Sequence, residues 1–130
     1  MSLYLADYIV LRDGPAYLDN GEEVASELSF PAGLVTNRNS SRPVLSFRAV
    51  GGAWSEGTVR VSIDDQGDIH KVIDAKVPPG ETIEFKEVIS NSHVNAEGDN
   101  SVRFRHIAGG KVSISDAVIW FQRRVDAEVG

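Results

Sequence analysis

The chain contains no cysteine among its 130 residues. Without thiols it forms neither a disulfide framework nor a thiolate metal site, so its stability has to come from packing. No run of 18 apolar residues is present, which argues against a transmembrane helix. The first residues also show neither the basic region nor the apolar stretch of a signal peptide. These absences leave the localisation unknown.

Positive charge is also scarce, because the chain has 13 basic and 19 acidic residues and a formal net charge of −6. Phosphate binding draws its affinity from clustered Lys and Arg, so neither nucleic acid nor a membrane surface is an expected partner. The local basic group is Arg103, Arg105, Arg123 and Arg124. Solvated outer faces of two strands are the simpler interpretation, and a patch for an anionic ligand is the alternative.

Recognisable catalytic motifs are missing. There is no G-x-S-x-G sequence, and His70, His93 and His106 stand apart without the spacing of a zinc site. Nothing among the acidic residues singles out a pair that would flank a glycosidic bond. The sequence therefore predicts a protein that is not an enzyme and that needs no cofactor.

What the chain does have is a strong period-two pattern of apolar residues. Leu45, Phe47 and Ala49 alternate with polar residues over 44–50, and Val59, Val61 and Ile63 do the same over 58–63. Such alternation is typical of antiparallel strands with one dry face. Turn residues recur at roughly 8–12 residue spacing, as in a sandwich or barrel. We therefore predict an all-β antiparallel β-sandwich, with residues 1–130 forming one domain.

The predicted strands before the last third of the chain are 3–11, 44–50, 58–63, 69–77 and 82–85. A short piece at 16–18 lies between two turns, and 22–30 fits a strand better than the alternative, one turn of helix. Residues 31–42 are rich in Gly, Asn and Ser and are expected to be a surface loop. The segment 88–96 is ambiguous, either an irregular crossing or a turn of helix. Two or three further strands are expected between 97 and 125, with Trp120 packed in the core or between the sheets.

Four segments carry a resemblance to a known family, namely 44–49, 58–65, 83–104 with its Gly98-Asp99-Asn100 turn, and 114–120. Together they resemble the galactose-binding-domain-like jelly roll of many carbohydrate-binding modules. The likeness spans about residues 43–125 and rests on strand rhythm and one turn. It implies a jelly-roll fold and a non-catalytic binding or assembly role.

Sugar binding needs flat aromatic platforms beside planar polar groups. Trp54 lies in the Gly-rich segment 51–57 and is either such a platform or a cap over the end of the core. Asn37, Arg38 and Asn39 lie in another loop and would supply polar contacts. Because the loops of a sandwich cluster at its ends, the two loops are expected to meet.

The acidic turn holding Asp64, Asp65 and Asp68 suggests a structural calcium site, because carboxylates are hard ligands. The distal Glu of an EF-hand loop is missing, and Asp and Gly are also what hairpin turns prefer. A second metal hypothesis combines Asp116 and Asp99 with an N-terminal acid such as Asp7.

Two functions compete on this sequence. In the first, the chain binds a glycan or another small polar ligand through its end loops. In the second, it is a structural or assembly protein whose partner is another protein or itself, as a homo-oligomer or a subunit of a larger particle. The second predicts a large self-contact, while the first predicts loss of ligand binding when Trp54 is removed.

Overall fold

Strands make up all the regular structure in the part of the chain that the computed structural model describes. It covers residues 2–29, 34–35, 42–90, 94 and 98–126, with side-chain positions for all of these except 2–4, 34–35 and 123–126. The strands are β1 (Ser2–Arg12), β2 (Ala16–Leu18), β3 (Glu23–Ser29), β4 (Leu34–Val35), β5 (Val44–Gly51), β6 (Gly57–Asp65), β7 (Asp68–Val77), β8 (Thr82–Val88), β9 (Asp99–Gly109) and β10 (Val112–Asp126). Within these ranges, no helix is long and apolar enough to cross a bilayer.

The strands form two antiparallel sheets. Sheet A has the order β1-β10-β5-β8, with β2 and β4 also paired to β10, and sheet B has the order β3-β9-β6-β7. The pairs β1–β10, β3–β9, β5–β8 and β6–β7 are nested in sequence, with early strands joined to late ones. The eight strands of these pairs divide four to each sheet, and β2 and β4 bring sheet A to six strands. The nested pairing is the connectivity of a jelly roll. The prediction of an all-β antiparallel β-sandwich is confirmed.

The core lies between the two sheets and is built from the alternation seen in the sequence. In both β5 and β6 the predicted inward residues are buried: Leu45, Phe47, Ala49, Val59, Val61 and Ile63. Phe47 stacks on Phe85 with ring centroids 5.0 Å apart and meets the edge of Phe104 at 5.2 Å. Because Phe104 belongs to β9 of sheet B, these rings join the two sheets across the core.

Trp120 corrects the sequence-based expectation, because it lies on the outer face of sheet A and is 48% exposed. The cause is a bulge in β10. Ser115 pairs with Arg48 and Val118 pairs with Ser46, so two residues of β10 lie opposite one residue of β5. Asp116 sits in this bulge with a φ of 51°, a left-handed conformation that Asp tolerates. The extra residue moves the inward positions from 112 and 114 to 117, 119 and 121, which turns Trp120 outward.

On each side of β10, the pairing within sheet A is made by two successive strands with a turn or loop between them. β1 and β2 follow one another along the same side of β10, separated by the turn at Asp13-Gly14-Pro15. On the other side of β10, Leu34–Val35 pairs with Gln122 and Arg123, just beyond the pairing of Val44 with Trp120. The predicted loop 31–42 therefore contains a short strand, and the rest of that loop up to residue 41 lies outside the described residues.

The ambiguous segment 88–96 starts as the end of β8 and then leaves the sheet. Ile89 is buried and its N–H donates to the carbonyl of Pro43 at 2.8 Å. Val94 is also buried against the core. Residues 91–93 and 95–97 lie outside the described residues, so the segment is defined by these two apolar anchors.

Candidate functional site

Trp54 is the most exposed large apolar side chain in the described part of the chain, with 95% of its surface accessible. It lies in the connection between β5 and β6, which contains Gly52 and is closed by Gly57. The interpretation of Trp54 as a cap over the core is therefore wrong. An aromatic ring held out in solvent has no packing role of its own, which makes it a candidate contact for a ligand.

The backbone on either side of Trp54 is fixed by hydrogen bonds to two neighbouring turns. The N–H of Gly52 donates to the carbonyl of Lys111 at 2.8 Å, and the N–H of Gly110 donates to the carbonyl of Glu56 at 2.9 Å. The N–H of Gly80 donates to the carbonyl of Gly52 at 2.9 Å. Hydrogen bonds thus fix the backbone of this loop at both ends, so the position of Trp54 is set before any ligand binds.

Gly109 shows why this support needs glycine. Its φ is +75°, and a Cβ at this position would collide with the carbonyl of Glu56. Glycine reaches such conformations without a steric penalty and lets two backbones approach closely. A buried side chain also stabilises this turn, because Nε2 of His106 donates a hydrogen bond of 2.8 Å to the carbonyl of Gly110.

A groove at this end of the sandwich runs between two exposed aromatic rings. It consists of two adjoining cavities of about 380 and 310 Å³, one beside Tyr17 and the other beside Trp54. Asp19, Gly52 and Lys111 line both cavities. We call this the end groove, formed by Tyr17, Asp19, Glu22, Gly52, Trp54 and Lys111.

Polar groups of both signs lie between the two rings of the end groove. Glu22 accepts a hydrogen bond through Oε1 from the N–H of Asp19 at 3.1 Å, which fixes the turn that follows β2. Asp19 accepts one through Oδ1 from the N–H of Asn20 at 3.0 Å. Lys111 is exposed, and no ion pair joins it to another side chain in the described ranges. The groove therefore offers an ammonium donor and carboxylate acceptors beside apolar rings.

Sequence reasoning identified Trp54 but missed Tyr17, Asp19, Glu22 and Lys111. The signal for Tyr17 was present, because it stands between buried Ala16 and Leu18 in a three-residue strand bounded by turns. Alternation alone puts its ring on the outer side of that strand, where it is 76% exposed.

Asn37, Arg38 and Asn39 lie outside the described residues, so their expected contribution stays a prediction. The described part of their loop, Leu34–Val35, pairs with Gln122 and Arg123. Gly51, where the Trp54 loop begins, pairs with Val112 at the start of β10. Ten residues of strand separate Val112 from Gln122, roughly 33 Å at about 3.3 Å per residue. The described anchor of that loop thus lies far from the end groove.

The acidic turn is explained by hairpin geometry. Gln66 and Gly67 both have positive φ, as the two central residues of a type I′ turn require. Asp64 accepts a bond from the N–H of Gly67 at 2.7 Å and pairs with Arg103 at 2.7 Å. Asp65 and Asp68 face each other as the last cross-strand pair of the hairpin.

Neither metal hypothesis gains support from the geometry. Among the described residues no three His, Asp or Glu side chains are placed to hold a metal ion. Asp116 pairs with Arg48 at 3.4 Å on sheet A, whereas Asp99 accepts a bond from Ser29 at 2.5 Å on sheet B. Asp7 accepts from the N–H of Tyr8, so the three acids of the second hypothesis serve separate local contacts.

The basic group of the sequence divides between the two sheets. Arg103 lies on the outer face of sheet B and pairs with Glu23 at 3.3 Å as well as with Asp64. Arg105 is the cross-strand neighbour of Glu23. The interpretation of solvated strand faces is confirmed for these two. Arg123 and Arg124 lie in β10 of sheet A, and their side chains are not among those the structure describes.

Elsewhere on sheet B, Arg60 holds Asp74 through a two-pronged contact of 2.8 and 3.2 Å. These hydrogen bonds lower the pKa of the Asp74 carboxyl below its ordinary value, because they stabilise the charged form. The outer face of sheet B thus carries pairs of opposite charge and differs in this respect from the end groove.

Solved structures with a similar fold include carbohydrate-binding modules. The family 61 module TmCBM61, solved in complex with β-1,4-galactotriose, is 16% identical, with 95% of this chain and 88% of that chain covered and a TM-score of 0.51. The chain has the antiparallel β-sandwich fold of these modules. CBM29_1, a family 29 module from Piromyces equi, is 13% identical over 89% of this chain and 91% of that chain, with a TM-score of 0.48.

The same fold occurs outside such modules. A structure of infectious bursal disease virus, Gx strain, is 10% identical, with 98% of this chain and 39% of that chain covered and a TM-score of 0.50. No protein-family model matches the chain, and no curated protein sequence is significantly similar to it. At these identities the similarity establishes the fold, and a ligand has to be argued from the end groove itself.

Proposed function

We propose that this protein is a non-catalytic carbohydrate-binding module that binds a glycan in the end groove. The observation that carries the proposal is the pairing of two exposed aromatic rings, Tyr17 and Trp54, across one groove whose floor holds Asp19 and Lys111. Aromatic rings present an apolar face to the C–H groups of a sugar ring, and charged groups between them hydrogen-bond its hydroxyls.

The size and the support of the groove fit this function. Cavities of about 380 and 310 Å³ lie within the range that small-molecule sites occupy and suit a short oligosaccharide. The hydrogen bonds at Gly52 and Gly110 hold the loop before any ligand arrives. Because little ordering is then needed on binding, more of the contact energy contributes to affinity.

The carboxylates of the groove support binding rather than hydrolysis. Asp19 and Glu22 each accept a hydrogen bond from a backbone N–H of their own turn, so both are engaged in shaping it. A glycosidase instead needs one carboxylic acid and one carboxylate on opposite sides of the bond that is cleaved. We therefore expect a glycan to be bound and released unchanged.

A glycan array followed by calorimetry tests the proposal, with β-1,4-galactotriose as the first probe because the module of the same fold was solved with it. Trp54→Ala and Tyr17→Ala should each lower the affinity for the bound glycan about tenfold or more, as for central aromatic anchors. Ile69→Ala is the control, since Ile69 is also an exposed apolar residue and lies on β7 of sheet B.

Three outcomes would contradict the proposal. One is a failure to bind any glycan on the array, and another is an affinity that Trp54→Ala leaves unchanged. The third is a rise in reducing ends when the bound glycan is incubated with the protein, which would show turnover.

A further inference from the structure

One polar side chain ends the apolar row that β9 presents to the core. Val102, Phe104 and His106 share the inward parity of this strand, and all three are buried. Packing alone does not require an imidazole at the last of these positions, because an apolar side chain would fill the same space. The residues that follow, 107–109, are exposed. His106 therefore lies where the core ends and the end groove begins.

Hydrogen bonds join His106 to both sides of the end groove. Its backbone N–H donates to the carbonyl of Glu22 at 2.9 Å, one residue before β3 begins. Its Nε2 donates to the carbonyl of Gly110 at 2.8 Å, in the turn between β9 and β10. Glu22 lines the cavity beside Tyr17. Gly110 lines the cavity beside Trp54, so His106 bonds to both halves of the groove.

These two bonds are the middle of a series of four. At one end, the N–H of Gly110 donates to the carbonyl of Glu56, two residues after Trp54, at 2.9 Å. At the other end, the N–H of Glu22 donates to the carbonyl of Asp19 at 2.9 Å. The outer two bonds join backbone groups, and the imidazole is the one side chain in the series.

The Trp54 loop follows any movement of Gly110, because the two segments are in close contact. A Cβ on Gly110 would collide with both the carbonyl and the hydroxyl oxygen of Ser55, the residue after Trp54. Glycine permits so close an approach of two backbones. A change in the hydrogen bond that holds the Gly110 carbonyl is therefore transmitted to Ser55 and to the ring beside it.

From this geometry we propose that His106 is a positioning residue of the end groove, which sets the separation of the two aromatic rings through its bond to Gly110. The inference rests on the proposed glycan function. An apolar residue of the same length would keep the core filled and leave the Gly110 carbonyl without this donor. The Trp54 loop would then occupy other positions as well, and a glycan that needs both rings would bind a smaller fraction of the molecules, which lowers its affinity.

His106→Met and His106→Gln separate the hydrogen-bond donor from the bulk of the side chain. Methionine and glutamine are both unbranched and equal in length, but glutamine carries an N–H group as many bonds from the backbone as Nε2 of histidine. His106→Met should lower the affinity for the oligosaccharide selected on the glycan array about fivefold or more, and His106→Gln should recover most of it. Val102→Ala is the control for loss of stability alone, because Val102 lies in the same buried row about 13 Å along β9 and should leave the affinity unchanged.

Hydrogen exchange of the ligand-free proteins tests the same claim without a glycan. In His106→Met the amides of Gly52 and Gly110, whose hydrogen bonds fix the Trp54 loop, should exchange faster than in the wild type. The amide of Gly67, beyond the opposite end of β6, should exchange at an unchanged rate. His106→Gln should return the first two rates towards those of the wild type.

These outcomes separate the inference from the proposed function. If no glycan binds the wild type, the proposed function fails, while the exchange rates still decide the role of His106. If a glycan binds through Trp54 but His106→Met changes neither affinity nor exchange, the role of His106 is refuted and the glycan function stands. Equal effects of the two His106 substitutions would also overturn the inference, because the donor would then not matter.

Nitrogen-15 NMR of the wild-type protein gives a readout that needs no variant. The His106 ring should carry a proton on Nε2 that exchanges slowly with water, because the ring is buried and this proton is bonded to the Gly110 carbonyl. A ring whose Nε2 carries no proton would overturn the inference, because it could not hold the turn.

Discussion

The N–H of Gly52 donates to the carbonyl of Lys111 at 2.8 Å and thereby ties the Trp54 loop to the turn that precedes β10. Both residues also line the end groove, so the hydrogen bond forms part of its floor. The exposed ring of Trp54 and the ammonium group of Lys111 are consequently carried by one connected piece of backbone. A ligand that contacts both meets an arrangement that exists before binding.

Gly109→Ala tests whether this backbone support is as tight as the structure shows. A left-handed φ costs alanine about 1–2 kcal/mol, and the collision of its Cβ with the carbonyl of Glu56 adds to that cost. Urea unfolding should show a loss of about 2 kcal/mol or more. The affinity for glycan should fall as well, because Glu56 belongs to the loop that carries Trp54.

Gly80→Ala is the matched control for that variant. Gly80 has a nearly equal φ of +72°, but nothing lies within 4 Å of a Cβ built there. It should therefore show the conformational cost alone. Equal losses of stability in the two variants would mean that the close approach at Gly109 is absent in solution.

Lys111→Met tests the polar floor of the groove. The variant keeps an unbranched apolar side chain but removes the ammonium donor, and hydrogen bonds to charged groups contribute about 1.5–3 kcal/mol. Calorimetry should therefore show glycan affinity reduced about tenfold or more. Lys86→Met on β8 removes an exposed charge far from the groove and should bind as the wild type does. Equal affinities of all three proteins would remove Lys111 from the site.

Much of this fold follows from side-chain alternation, and the exceptions have identifiable causes. In β5 and β6 apolar residues occupy one parity and polar residues the other, so burial of Leu45, Phe47, Val59 and Val61 could be predicted. The run from 117 to 121 is apolar at both parities, so the sequence does not say which side faces inward. The bulge at Asp116 makes that choice through long-range pairing with β5, and it turns Trp120 outward.

The candidate site could be predicted only in part for a similar reason. The Gly-rich context of Trp54 indicated a loop, and its exposure follows from that context. Lys111 and Tyr17 are 94 residues apart in sequence and come together because β2 pairs with the start of β10. Strand neighbours of this kind depend on the topology of the whole sandwich and leave no local signal.

Asp74→Asn tests the charge pairing on sheet B through its pH dependence. The Asp74 pKa is lowered in the folded state by the hydrogen bonds of Arg60. The stabilisation is therefore present above the unfolded-state pKa of about 3.9 and disappears as pH falls through the lower folded-state pKa. Wild type and variant should differ in unfolding free energy at pH 6 and converge in acid.

Asp13→Asn serves as the control for the substitution, because Asp13 is exposed and no ion pair joins it to another described residue. Its unfolding free energy at pH 6 should stay close to that of the wild type. If the gap between wild type and Asp74→Asn instead widened as the pH fell, the sign of the pKa shift would be wrong.

The central claim is that a glycan binds beside Trp54, and tryptophan fluorescence tests it most directly because the chain has just two tryptophans. Trp120→Phe leaves Trp54 as the reporter, and Trp54→Phe leaves Trp120. Titration with the tightest-binding oligosaccharide of the array should change the emission of the Trp120→Phe variant with wild-type affinity. The Trp54→Phe variant should show no change. A response that survives in Trp54→Phe and vanishes in Trp120→Phe would place the ligand beside Trp120 on the outer face of sheet A and contradict the account.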